Sequence, residues 1–225
     1  MEIKSQGIVL RCSKYSENNY IAQILTREAG KLSFAVYAPQ SRRARIRTSM
    51  LQPLTLLELD FDSKPSRTVQ QIKDAKPLSL GVLSPAKISV AMFVSDLVAC
   101  TTVDGNADLS LYNKGLDVVK FLNSDTAVDG HFAIRFLLDY ADALGFNPVR
   151  DFENVVLREF VGTLVEQRER ELFIRLVDAA SGGNVNIFNH DERKSLLRLL
   201  LLYYQMNLPD MPAVKSLDVL EEMYA

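Results

Sequence analysis

Residues 41–48 read SRRARIRT and carry four guanidinium groups, Arg42, Arg43, Arg45 and Arg47. The guanidinium is planar and can pair bidentately with phosphate. Such a cluster, in a chain of formal net charge −2, points to a phosphate-bearing partner. Lys31, Arg27, Lys4 and Arg11 extend the basic set. Tyr37 and Tyr15 offer faces on which bases can stack, although tyrosines at such places more often serve as ordinary strand or turn residues. A second group of cations, Arg193, Lys194 and Arg198, has the spacing of a dock for an acidic tail; a solvated helix face is the simpler reading.

Other chemistry is missing. AGKLS (29–33) resembles part of a phosphate-binding loop, but that motif needs glycine at Leu25 and Ser or Thr at Leu32. No GxGxxG or GxSxG occurs. His190, Asp191 and Glu192 sit together, yet acidic residues at a helix start are explained by the helix dipole. His131 follows Gly130 at another helix start and reads as structural or exposed. Cys12 and Cys100 are the two cysteines and His131 and His190 the two histidines, so a structural zinc site would have to use scattered single ligands. No nucleophile, base and orienting group come together. The expectation is a protein that is not an enzyme and needs no cofactor.

The positive charge is concentrated in the first part of the chain. Residues 1–80 hold 13 Lys and Arg against 7 Asp and Glu, while residues 81–225 hold 13 against 21. A basic half is the electrostatic footprint of a nucleic-acid binder; a solvated basic face is the bland alternative. The start, MEIKSQGIVL, has no signal-peptide pattern. The longest apolar run, LLRLLLLYY (196–204), is too short for a membrane span, which needs about 20 residues. A cytoplasmic protein that does not enter a membrane is expected.

The elements that must hold these residues fall into two groups. GIVLRC (7–12), NYIAQILT (19–26), KLSFAVYA (31–38), LQPLTLLELDF (51–61) and RTVQQIKDA (67–75) read as strands. In the third, Leu32, Phe34 and Val36 alternate with Ser33, Ala35 and Tyr37, the period of a half-buried strand. SENN (16–19) and REAG (27–30) mark turns, with Gly30 free to take positive φ. Five strands in under eighty residues fit a Greek-key barrel, the OB-fold. SRRARIRT then lies between the third and fourth strands, as a loop or short helix on a rigid barrel. Past residue 80 the period changes to that of helices. Ser84-Pro85 starts one, with Ile88, Met92, Val94 or Phe93, and Leu97 near helical spacing. Residues 108–122 put Leu109, Tyr112, Leu116, Val119 and Leu122 on one stripe. Residues 131–145 end on Gly145 as a cap. Asn189 and Glu192 make a capping-box variant ahead of 190–206, apolar almost all round and so the centre of a bundle. A last helix, 216–224, packs Leu217, Leu220 and Tyr224. The expected fold class is α+β, with an OB-fold domain over 1–80, read as DNA-binding from its charge, and an all-α domain over 81–225.

These residues resemble a known family. Gly7-Ile8-Val9-Leu10, Tyr15-Ser16-Glu17, Leu25-Thr26, Gly30-Lys31-Leu32-Ser33 and Leu51-Gln52-Pro53-Leu54 follow the order seen in the bacterial RecO recombination mediators. Tyr203-Tyr204 and Lys215-Ser216-Leu217-Asp218-Val219-Leu220 resemble that family's end. The resemblance implies an N-terminal OB-fold and a helical C-terminal domain. It implies binding of single- and double-stranded DNA, annealing of complementary strands, and loading of recombinase onto DNA coated with single-strand-binding protein. Implied partners are RecR and the acidic C-terminal tail of single-strand-binding protein, and the implied location is the bacterial cytoplasm, in association with the nucleoid. The family's arginine-rich segment before LQP corresponds to 42–47. Many relatives carry a four-cysteine zinc module after a helix ending in LGF. Here Leu144-Gly145-Phe146 is present, but NPVRDFENVVLREFVG has no cysteine, so zinc is expected to be absent.

Annealing brings two strands together against phosphate repulsion, and a basic surface lowers that repulsion while counterion release drives binding. No nucleotide hydrolysis is required. Two rivals stand beside this reading: a protein-interaction adaptor in a repair complex with only incidental DNA contact, and an enzyme with its site among the helices.

Overall fold

The computed structural model describes residues 2–39, 45–64, 66–79, 83–151, 155–164 and 166–223. Arg42, Arg43 and Tyr224 lie outside the described residues.

Five strands close into a barrel in the order β1-β2-β3-β5-β4: β1 (Glu2–Lys14), β2 (Asn19–Thr26), β3 (Gly30–Tyr37), β4 (Leu56–Asp62) and β5 (Val69–Pro77). Every pairing is antiparallel except β3 with β5, which is parallel. This is the OB-fold. The first strand closes the barrel by serving two neighbours. Its first half pairs with β4 from Glu2↔Asp62 to Ile8↔Leu56, and its second half pairs with β2 from Gly7↔Thr26 to Lys14↔Tyr20. The interior follows from alternation along each strand. Val9, Ala22, Ile24, Phe34, Val36, Leu57, Leu59, Phe61 and Ala75 form one buried cluster, with Leu32 packed against it. Phe34 and Phe61 meet edge to face with centroids 5.0 Å apart.

The fourth strand begins later than its apolar run suggests. Thr48–Leu51 is a single turn of 3-10 helix whose Met50 and Leu51 enter the barrel cluster. Leu54, at φ 58, then turns the chain back beside β1, where its N–H donates to the Val9 carbonyl at 2.8 Å. Met50 and Leu51 therefore plug the barrel, and LQPL does not extend a sheet.

By internal contacts the chain forms two compact units, residues 1–126 with 214–219, and residues 127–213 with 220–225. In the first, α1 (Pro85–Thr101) and α2 (Leu109–Leu122) accompany the barrel. Ser84 caps α1, accepting from the Lys87 N–H at 3.4 Å, with Pro85 in the first turn. The buried face of α1 is built from Val90, Phe93, Val94, Leu97 and Val98, whereas Ile88 and Met92 are exposed. In α2, Leu111, Tyr112, Gly115, Val118, Val119 and Leu122 are buried, and Leu109 is exposed. The expected stripes are thus met at Phe93, Val94 and Leu97 and at Tyr112, Val119 and Leu122, and missed at Ile88, Met92 and Leu109.

The second unit is helical: α3 (Phe132–Ala143), α4 (Val155–Thr163), α5 (Gln167–Ser181) and α6 (His190–Asn207), followed after residues 214–219 by the end of α7 (Leu217–Met223). Three helices, α3, α4 and α5, all pack on α6. The central role expected from its apolar circumference is met. Its capping box is complete: Asn189 Oδ1 accepts from the Glu192 N–H, and Glu192 Oε2 accepts from the Asn189 N–H, both at 3.0 Å. Gly145 ends α3 at φ +93, a conformation costly for other residues. The turn it allows sends Phe146 into the core, edge-on to Tyr203 and Tyr204. The Tyr204 hydroxyl donates to the Leu137 carbonyl at 2.6 Å.

Candidate nucleic-acid interface

The arginine-rich segment is described from Arg45 onward. Ile46 is buried in the barrel cluster with Val36, Ala38, Met50 and Leu51. Arg45 and Arg47 on either side of it are exposed. Arg47 is extended at φ −112 and ψ 151, while Arg45 and Ile46 form a bend. With Ile46 buried between them, both arginines stand at the surface. The segment is pinned further by the short helix that follows, where the Met50 N–H donates to the Arg47 carbonyl at 3.0 Å. The result is a pair of guanidinium groups on the rim of the barrel, held by an apolar plug.

Two of the other sequence-selected cations are exposed. Arg27 stands in the turn between β2 and β3, its N–H bonded to the Gln6 carbonyl at 2.9 Å. Lys4 is exposed on β1 directly across from Asp60, which pairs in turn with Asp74. Glu58 and Lys76 line the same shallow site. The Lys4 ammonium thus stands among three carboxylates, and its local field is not positive.

Two more are engaged inside the fold. The Arg11 Nε donates to Asp96 Oδ1 on α1 at 2.9 Å, and its Nη2 reaches the same oxygen, the Asp96 carbonyl and Cys100 Sγ. Lys31 is 8% exposed. Its Nζ donates to the Ala99 carbonyl at 2.7 Å and lies 3.2 Å from Asp104. A buried ammonium needs such acceptors because it has lost its water. Both charges tie the barrel to α1. Their partners lie 85 and 68 residues along the chain, where no local pattern reveals them.

The loop joining β4 and β5 carries Lys64 and Arg67, both exposed, which sequence reading passed over by starting a strand at Arg67. This loop is shaped by a buried amide. Gln70 Oε1 accepts from the Lys64 N–H at 2.9 Å, and its Nε2 donates to the Lys64 and Arg67 carbonyls at 3.1 and 2.6 Å. In OB-folds this loop and the β2–β3 face commonly touch oligonucleotides.

In the second unit, Arg193, Lys194 and Arg198 all lie on α6, but they do not act as one cluster. Arg198 makes a two-pronged pair with Glu221, at 2.8 and 2.6 Å. Arg193 donates Nη1–H to the Phe188 carbonyl at 3.0 Å, and its guanidinium lies against Gly130. His131, on the same carbonyl at 3.0 Å, has the structural role expected of it. Lys194 is half-buried.

Residues 1–80 match the family model described as Recombination protein O N terminal. The whole chain is similar to curated proteins named DNA repair protein RecO. One from Phocaeicola vulgatus is 30% identical over 241 residues, covering 99% of each chain. One from Bacteroides fragilis is 27% identical with 98% of each covered. One from Flavobacterium psychrophilum is 25% identical with each covered in full. Among the described residues, no helix is long and apolar enough to cross a membrane. A basic-rimmed OB barrel with a helical remainder, matched from end to end by these relatives, makes this chain a member of the RecO family of DNA repair proteins.

Proposed function

We propose that this protein binds single- and double-stranded DNA through the rim of its barrel, anneals complementary strands, and helps load recombinase onto DNA coated with single-strand-binding protein. One observation carries the reading: Arg45 and Arg47 stand at the surface with the buried Ile46 between them, inside a segment that also contains Arg42 and Arg43. Guanidinium groups so placed can each hold a phosphate. Arg27, Lys64 and Arg67 add exposed cations on the barrel's loops. Arg11 and Lys31 are left out, because their charges are spent on α1. RecR and the acidic tail of single-strand-binding protein are proposed as partners from the family resemblance. Phosphate contacts carry no sequence information, so little sequence preference is expected. The activity is proposed to be noncatalytic and to take place in the cytoplasm with the nucleoid.

The test is fluorescence anisotropy with labelled single-stranded DNA across a salt series. If each of the four arginines neutralises one phosphate, changing Arg42, Arg43, Arg45 and Arg47 to alanine should flatten the log–log salt slope by about 3, with circular dichroism unchanged. An unchanged affinity and slope would move DNA off this segment and favour an adaptor that only assembles other proteins.

A further inference from the structure

The outer face of the β1–β2–β3 wall ends in a row of three residues. The Tyr15 N–H donates to the Asn19 carbonyl at 2.8 Å, and Asn19 is the register partner of Tyr37. Residues opposite each other across strands send their side chains to the same face. Tyr15 and Tyr37 therefore flank Asn19 on one face, two strand spacings or about 10 Å apart. The row below, Ser13, Ile21 and Ala35, shares that face, while Tyr20 and Val36 turn inward to the core.

These two rings are unusual in the molecule. Tyr15 is 80% exposed and Tyr37 is 63% exposed. Every other described aromatic residue is buried or half-buried. The fold gains nothing from leaving two phenol rings in water on one face. Their surroundings leave room for an extended chain to lie across them. Ala35 and Gln71, neighbours on β3 and β5, are exposed and offer no bulky obstruction beside Tyr37. Lys14, one residue before Tyr15, is exposed but stands in the row of Tyr20 and Val36, and Glu17 is the acidic residue of the hairpin turn. Tyr37 leads into Ala38, which is buried in the barrel cluster that also takes in Ile46, the neighbour of Arg45 and Arg47. The β1 side of the wall is different: there Arg11 is covered by its pairing with Asp96 of α1.

We propose that Tyr15 and Tyr37 form a platform on which unpaired bases stack, so that this face of the barrel selects single-stranded over duplex DNA. In a duplex each base has both faces covered by its neighbours. Only an unpaired base can give a face to a tyrosine, and such stacking is tolerant of sequence because every base has one. Phosphates held by the rim arginines would leave their bases to lie along the wall. The proposal rests on the reading that the barrel binds DNA.

The experiment compares three labelled probes by anisotropy: an oligothymidylate, an abasic oligomer of the same length, and a duplex of the same length. The native protein should bind oligothymidylate about tenfold or more tighter than the abasic oligomer. The double variant Tyr15→Ala, Tyr37→Ala should lose that advantage. Its salt slope and its affinity for the abasic and duplex probes should stay within about twofold of native, since phosphate contacts are untouched. Tyr15→Phe with Tyr37→Phe should keep native binding, because the ring and not the hydroxyl does the stacking. Equal native affinity for oligothymidylate and abasic oligomer overturns the platform while leaving phosphate binding intact, and needs no variant to fold. An equal loss on all three probes in the alanine variant also overturns it. Failure of the native protein to bind any probe removes the DNA-binding reading, and the platform with it.

Discussion

The carboxylate of Asp96 is shared between two segments that are far apart in the chain. Its Oδ1 accepts from Arg11 Nε on β1 at 2.9 Å, and its Oδ2 accepts from both the N–H and the hydroxyl of Ser216 at 3.1 Å. One side chain on α1 thus fastens the barrel on one side and residues 214–219 on the other. The cation that sequence alone assigns to DNA is here a clamp.

Removing that carboxylate should be costly. Asp96→Ala leaves Arg11 and two Ser216 donors without their acceptor. Breaking such a pair costs about 3–5 kcal/mol when it is fully buried. Arg11 is 39% exposed at its side chain, which brings the expectation down to about 2 kcal/mol. Urea denaturation would read this as a lower midpoint at unchanged m-value. Arg11→Ala should destabilise too, while single-strand affinity stays at the native value; a large loss of affinity in a folded protein would return Arg11 to the DNA surface.

Lys31→Met should separate packing from binding in the same way. The substitution keeps the apolar stem and removes the donor to the Ala99 carbonyl, leaving that oxygen unpaired at a cost of about 1–3 kcal/mol. Thermal unfolding should show the loss, and DNA titration should not.

Gly30→Ala should be among the most damaging single-atom-scale changes in the barrel. Gly30 has φ +68, and a Cβ there would lie 2.2 Å from the Asn106 carbonyl oxygen, a backbone atom. Left-handed strain and a backbone clash act together, so a loss of more than about 2 kcal/mol is expected. Equilibrium unfolding of the variant checks it.

The capping box of α6 makes stability depend on pH. Arg175 donates to Glu192 Oε1 at 2.6 Å, and the Asn189 N–H donates to Oε2 at 3.0 Å. The Arg175 bond first, and the backbone bond after it, hold the Glu192 carboxyl below its ordinary value. A depressed carboxyl contributes stability that is present above the unfolded-state value, about 4.3, and is lost as pH falls through the folded-state value. Glu192→Gln should therefore melt below native at pH 7, and the gap should begin to close near about pH 4.3 and vanish only below the depressed folded-state value. Melting scans at a series of pH values would show whether the gap closes in that direction.

Much of this architecture was legible in the chain. The alternation of Leu32, Phe34 and Val36 against Ser33, Ala35 and Tyr37 put β3 in place and predicted which side faces the core. Ser84-Pro85, Gly145, and Asn189 with Glu192 marked helix ends correctly, because capping is settled within a few residues. Faces of helices were another matter. Apolar residues surround α1 nearly completely, so periodicity could not choose between Met92 and Val90 as the buried one. The charged stretch ahead of α6 gave no distinct signal for α5, whose Leu172, Phe173, Leu176 and Val177 are nonetheless buried.

By itself, then, the sequence determined what local physics decides: the strand period, the caps, the concentration of arginine at 42–47, and the order of motifs that marks the family. Tertiary structure alone decided which charges are available. Arg11, Lys31 and Arg45 are all cations in the basic half, and nothing in their neighbours along the chain tells them apart. Arg11 meets Asp96, Lys31 meets Ala99 and Asp104, and Arg45 stands exposed beside the buried Ile46. A charge is spent or exposed according to the acceptor that folding brings to it, and that acceptor comes from a segment the local sequence does not contain.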